Sequence, residues 1–232
     1  MRLHLQNLKS FSNCPAYYCF SKDKQVLIPR RRVVIESIIK KCYMQATETG
    51  HRTSWRTIVG WVDREIFKDI EIQDDESFRA AKSFSENVLL SVQKWYKFYL
   101  EENFENYIDI DLYQEIGDCI VYGTAPVIHV GKEIILTVFN DLGITRLELY
   151  NDLEVRGLVS MLSNSLDGSE IQVRCLAIGP QGGFDIIEFI INQSNRVEQV
   201  LKQLCRSLRA GHNYPSRNVQ CKSCEYIRKC KL

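Results

Sequence analysis

The spacing of apolar residues along this chain changes character near residue 108. Before it, apolar positions recur every three to four residues, the interval that places them on one helix face. "LHLQNLKSFSN" predicts a short helix broken at Cys14-Pro15. After the basic run "PRRR" at 29–32, "RRVVIESIIKKCYMQAT" carries Val33, Val34, Ile38, Ile39 and Tyr43 at helical spacing, and Pro29 suits a first turn. "SWRTIVGWVDREIFKDI" predicts a further helix. "DESFRAAKSFSENVLLSVQKWYKFYLEENF" predicts the longest, capped by Asp74 or Asp75. Beyond 108, "QEIGDCIVYG", "APVIHV" and "EIILTVFN" predict short strands, the last two joined by a turn at Gly131-Lys132. On this pattern Asp109 and Asp111 precede the sheet. "RLELYNDLEVRGLVSMLSNSL" predicts a helix, and "EIQVRCLAIG" and "GFDIIEFII" two strands around the turn "PQGG". "SNRVEQVLKQLCRSLRAG" predicts a last helix capped by Ser194 and stopped by Gly211, with Val197, Val200, Leu201 and Leu204 on its apolar face. The fold class is α/β or α+β: a mixed β-sheet flanked by helices, behind a helical N-terminal half. We expect one domain over 1–232, with a helical insertion at 30–105 and the sheet core at 108–210.

Composition narrows the function. An apolar content of 45% and a charged content of 25% are ordinary for a globular protein, and a net charge of +1 gives no whole-chain attraction to nucleic acid or membrane. No apolar run approaches the roughly 20 residues of a membrane span, and the N-terminus is too polar for a signal peptide. The expected compartment is the cytoplasm, of a cell or, for a viral component, of its host. Nine cysteines are many for that compartment, where metal binding is commoner than disulfides. Three of them fall in "CKSCEYIRKC", spaced C-x2-C-x5-C, so Cys221, Cys224 and Cys230 can converge on one centre. A fourth ligand has to come from elsewhere. Cys14, at a helix break before a proline, is the candidate, with Cys19 its rival; Cys42, Cys119, Cys175 and Cys205 lie in apolar-periodic runs and read as core residues. Three clustered cysteines plus one remote one suit an iron–sulfur cluster, with zinc as the alternative.

"LHLQNLKSFSNCPAYYCF" and "YPSRNVQCKSCEYIRKC" together resemble the two ends of RecB-like nucleases of the PD-(D/E)XK superfamily, of the CRISPR-associated exonuclease and AddB nuclease-domain type. The resemblance implies a restriction-endonuclease-like core and a 4Fe-4S cluster on Cys14, Cys221, Cys224 and Cys230, joining the N- and C-terminal segments. It also implies DNA cleavage by a carboxylate-held Mg or Mn ion with a lysine nearby. There the sequence departs from the pattern. "GTAPVIHV" has Pro126 where the family has an aspartate. "TVFNDLG" has Phe139 at the next aspartate and Asp141 at the lysine. Glu154 and Leu158 stand at the glutamine and tyrosine of a following helix, and Glu36 near an expected histidine.

The expectation is therefore a catalytically inactive, nuclease-like iron–sulfur protein, acting as a structural or DNA-binding subunit of a larger assembly. The alternative is an active Mg- or Mn-dependent DNA exonuclease with displaced catalytic residues, for which Asp118, Asp141 and Glu154 are the candidates. Arg30, Arg31 and Arg32 are the candidate DNA contacts. His129, alternating with apolar neighbours, reads as a packed or surface residue, and the aromatics of "WYKFYL" as core.

Overall fold

The computed structural model describes residues 1–16, 30–68, 75–100, 105–191, 195–211 and 230. Pro29, Asp74 and Ser194, expected at helix starts, lie outside the described residues, as do Cys19, Cys221 and Cys224.

The sheet is built around one long strand. β2 (Glu105–Ile116) and β3 (Cys119–Val130) form a twelve-residue hairpin, antiparallel from Glu105↔Val130 to Ile116↔Cys119. The other side of β3 is shared. β1 (Arg2–His4) pairs with it in parallel at Ile120–Tyr122, and β4 (Ile134–Asp141) pairs antiparallel at Val127–Val130. β4 then runs parallel to β5 (Ile171–Ile178), which pairs antiparallel with β6 (Phe184–Ile191). The result is a mixed six-stranded sheet among the described residues. The expected strands 114–123 and 125–130 are instead one strand after a turn, because Gly117, at φ 60, reverses the chain before Asp118. Asp109 and Asp111 do not precede the sheet: they lie on β2, whose inward Ile108, Ile110 and Leu112 alternate with polar residues.

Helices cover both faces. α1 (Leu5–Asn13), α6 (Leu153–Ser165) and α7 (Asn195–Arg209) bury Leu5, Leu8, Leu158, Met161 and Leu201 with Val121, Leu136, Val173 and Cys175 of the sheet. α2 (Arg30–Thr49), α3 (Trp55–Phe67) and α4 (Asp75–Tyr99) enclose Ile35, Ile38, Ile58, Val62 and Trp95 against Val127, Phe139 and Leu176. Ser54 caps α3 by accepting from the Thr57 amide. Trp95 and Tyr99 of "WYKFYL" are buried, and the Trp95 indole donates to the Tyr43 hydroxyl.

The helix expected over 146–166 is two. α5 (Arg146–Asn151) starts in a capping box at Thr145 and Glu148, and α6 starts afresh at Asp152, whose Oδ1 accepts from the amides of Glu154 and Val155. The "PQGG" turn is a short 3-10 turn at Pro180–Gly182. On α7 the buried line is Val197, Leu201 and Cys205; Val200, expected on that face, is 42% exposed because it falls a quarter-turn off the line. α1 lies close on α6 because Gly157 has no side chain: a Cβ there would stand 2.5 Å from Leu5 Cδ2. That contact fixes where Lys9 of α1 stands.

Candidate functional site

β4 pairs with β5 along its whole length but with β3 only from Ile134 to Thr137. Where β3 and β4 part, a cleft of about 480 Å³ opens. Its floor is Thr124, Pro126, Val138, Phe139 and Asn140; its walls are the start of α1, one face of α2 and the first turns of α6. Such a parting of neighbouring strands is a common place for a ligand site in sheet-based folds.

Five positions singled out in the sequence meet here: Glu36, Pro126, Phe139, Glu154 and Leu158. They come from α2, β3, β4 and α6, so nothing local in the sequence brings them together. Asp141 is at the end of β4, its side chain 56% exposed and 3.9 Å from Arg32 Nη1. Asp118 is elsewhere, in the β2–β3 turn, where it accepts from Arg209 at 2.8 Å; that hydrogen bond holds its carboxyl below the usual range.

Lysines neutralise the carboxylates of the cleft. Lys40 donates to Asp109 at 2.6 Å and lies 2.7 Å from Glu36, with Nζ 5.9 Å from the centre of the Phe139 ring. Burial opposes the charge on Lys40, but the bonds to Asp109 and Glu36 outweigh it and raise its pKa above the ordinary lysine value. Lys9 reaches Asp152 at 2.6 Å and Glu154 at 3.7 Å. Each cation thus bridges two acids, and a pair of facing acids is where a divalent ion would otherwise be favoured. Among the described residues no group of three or more His, Cys, Asp or Glu could hold a metal ion. Lys9, Lys40 and Asp152 were not singled out from the sequence, and Asp109 was set aside as preceding the sheet; the local signs are the cap at Asp152 and the Glu36–Lys40 spacing of four.

The three arginines at the start of α2 each donate to a backbone carbonyl, with Arg30 exposed and Arg31 and Arg32 half-buried. Arg30 donates to the Ile66 carbonyl at 3.4 Å, Arg31 to the Gly179 carbonyl at 3.1 Å and Arg32 to the Phe139 carbonyl at 2.5 Å. Arg30 and Arg31 also lie over the Phe84 ring.

Cys42, Cys119, Cys175 and Cys205 are buried, and burial pushes the thiols of Cys42, Cys175 and Cys205 up to about 12, far from the thiolate a metal needs. Cys14 follows α1 on extended backbone and is partly exposed; Cys230 is partly exposed as well. His129 is fully buried. Its Nδ1 stands 2.6 Å from Asn106 Oδ1 and its Nε2 2.8 Å from the Thr137 hydroxyl. Burial, with Arg174 nearby, lowers its pKa to about 3, so it is a neutral packing residue.

No family model matches the chain, and no curated protein matches its sequence. Solved structures match its fold. One named "Putative exonuclease", from Eubacterium rectale, has a TM-score of 0.51 at 11% identity over 100% of this chain and 88% of its own. Another, SSO0001, covers 99% of this chain and 85% of its own at 14% identity, with a TM-score of 0.44 that is too low to carry an argument. The first shares the α+β fold of this chain. No described helix is long and apolar enough to cross a membrane.

Proposed function

We propose that this protein is a non-catalytic relative of the RecB-like nucleases, an iron–sulfur protein serving as a subunit of a larger assembly. One observation carries the reading. In the cleft, Pro126 and Phe139 stand at the metal-binding positions of the resembled family, and the carboxylates that remain are bridged by Lys40 and Lys9. Phosphodiester cleavage on such a fold needs a metal ion to activate water and stabilise the phosphate charge. Proline and phenylalanine offer no ligand, and a bridging ammonium competes with the ion for the acids.

Cys14, Cys221, Cys224 and Cys230 would hold the cluster. The described part of the set fits: Cys14 and Cys230 are partly exposed, while four of the other cysteines are withdrawn into the core. A cluster on these residues would join the chain's two ends and contribute to folding directly. Between a structural and a DNA-binding role, the carbonyl bonds of the half-buried Arg31 and Arg32 favour the structural one.

The test is a nuclease assay on single- and double-stranded DNA with Mg or Mn, using protein purified without oxygen, with iron and sulfide measured in the same sample. The expected result is brown protein with iron and sulfide bound and no cleavage above background. Metal-dependent cleavage abolished by Glu154→Ala or Asp141→Ala would establish the displaced-site exonuclease instead. Colourless protein carrying zinc would overturn the cluster.

A further inference from the structure

The bend at Asp109, where the backbone turns left-handed at φ 52, exchanges the two faces of β2. Before it, Ile108 packs with the core under α2, α3 and α4; after it, Ile110, Leu112 and Ile116 pack with the opposite core, under α1, α6 and α7. Asp111, Tyr113 and Glu115 therefore stand together on the side of the sheet that carries α2, on a stretch those helices leave uncovered, and all three are exposed. The register extends this face over three strands. Tyr113 lies opposite Tyr122 of β3, which in turn lies beside His4 of β1, so three rings cross the face in one row. Tyr113 is 73% exposed and Tyr122 38%, and the His4 ring meets Tyr122 edge-on at 5.1 Å.

The charges around this row decide what it can hold. Asp111 and Glu115 flank Tyr113, each two residues along the strand and so about 7 Å away. The next acids on either side are already paired, Asp109 with Lys40 at 2.6 Å and Asp118 with Arg209 at 2.8 Å. Asp111 accepts from the Thr124 hydroxyl at 2.7 Å, a neutral partner, and among the described residues no cation pairs with Asp111 or Glu115. Arg2, beside Ile120, is two strands away from Glu115. Nucleic acid would set phosphates against the two carboxylates, and an aliphatic side chain would leave them unpaired. A guanidinium suits both parts of the face. Its plane lies on a tyrosine ring, and its edge donates two parallel hydrogen bonds to a carboxylate. An ammonium pairs with the acid but has no plane to stack.

We infer that this face of β1, β2 and β3 docks an arginine-bearing segment of a partner protein, the guanidinium stacked on Tyr113 and paired with Asp111 or Glu115. The inference names a contact for the assembly proposed above. The face lies beside the cleft, and its binding does not depend on the cluster or on whether the cleft is inert, so either reading can fail alone. A labelled peptide of alternating arginine and glycine, followed by fluorescence anisotropy against the full chain, tests it. Saturable binding is expected. Tyr113→Ala, and the paired change Asp111→Asn with Glu115→Gln, should each weaken it roughly tenfold. Glu105→Gln, at an exposed acid on the other side of the bend, should leave it unchanged. The same peptide with lysine for arginine should bind more weakly, and with citrulline, which is neutral and of the same shape, not at all. Melting temperatures of the variants, all changed at exposed side chains, should match the parent. Equal binding of the lysine or citrulline peptide, a loss in Glu105→Gln as large as in the paired change, or no binding would each overturn the proposal. So would binding of single-stranded DNA that is lost in Tyr113→Ala, or a dimer of the parent that disperses in the paired change; these would assign the face to nucleic acid or to a second copy.

Discussion

Two polar clusters are built on the same pair of strands, and water separates them. The His129–Asn106–Thr137 cluster uses the paired stretch of β3 and β4, with Asn106 added from β2, and is sealed by Tyr43, whose ring meets His129 edge-on at 4.8 Å. The cleft uses the unpaired stretch just beyond, from Val138 to Asn140. The sealed cluster is neutral. Asn106 Oδ1 can only accept, so His129 Nδ1 carries the proton and Nε2 accepts from the Thr137 hydroxyl. The cleft is charged, its acids and lysines paired but still reached by solvent. Where water is excluded, the fold uses hydrogen bonds without charge; where water enters, it keeps charges and cancels them in pairs. Changes in the sealed cluster should therefore cost more stability than changes in the cleft.

The largest effect tests the sealed side. Trp95→Ala removes a fully buried ring stacked on Tyr99 and bonded to Tyr43, and should cost about 3–5 kcal/mol in urea unfolding. A cost under about 1 kcal/mol would mean this layer is not core.

Acid should act on the same cluster. The folded pKa of His129, about 3, lies below the ordinary value near 6.5. Its contribution is complete above the unfolded value and is lost as pH falls, because the unfolded chain takes up a proton that the folded chain refuses. Unfolding free energy should drop by about 1.4 kcal/mol per pH unit from this group between pH 6.5 and 3. His129→Leu, less stable at neutral pH because Asn106 and Thr137 lose their partner, should show a shallower slope. An unchanged slope would place the titration elsewhere.

The cleft should respond less. Lys40→Met leaves Glu36 and Asp109 facing each other in partial contact with water, and should cost about 1 kcal/mol, a few degrees of melting temperature. A loss as large as that of Trp95→Ala would erase the distinction between the two clusters. Smallest of all, Asp118→Asn removes an ion pair that is open to solvent on both sides and should leave the melting curve unchanged.

The helical half was legible because its apolar periodicity is long, as in α2, where Ile35, Ile38, Ile39 and Cys42 are buried in register. β5 and β6 were legible for the same reason over a shorter run. β1 was not: three residues become a strand only because β3 lies beside them. The first half of β2 was hidden by the acids on its outer side, and β3 by Pro126, a residue that argues against a continuous strand. The cleft was half legible. The resemblance named Glu36, Pro126, Phe139, Glu154 and Leu158, and the fold gathers them. It could not name Lys40 or Lys9, whose acidic partners Asp109 and Asp152 lie 69 and 143 residues away.

Asp109 has a left-handed backbone, at φ 52, and by the register of β2 and β3 it lies across from Pro126. Their neighbours, Ile108↔Val127 and Ile110↔Ala125, are paired normally. Proline has no amide to give the ladder, and the strand opposite departs from β geometry at that point. Asp109 there reaches Lys40. Pro126 is thus coupled to the bend beside the carboxylate that holds Lys40. The two positions are expected to be energetically coupled. An aspartate introduced at 126 alone would give an amide to a ladder whose partner is still bent, beside a lysine still in place. Changes at positions 40, 109 and 126 would therefore not add in energy.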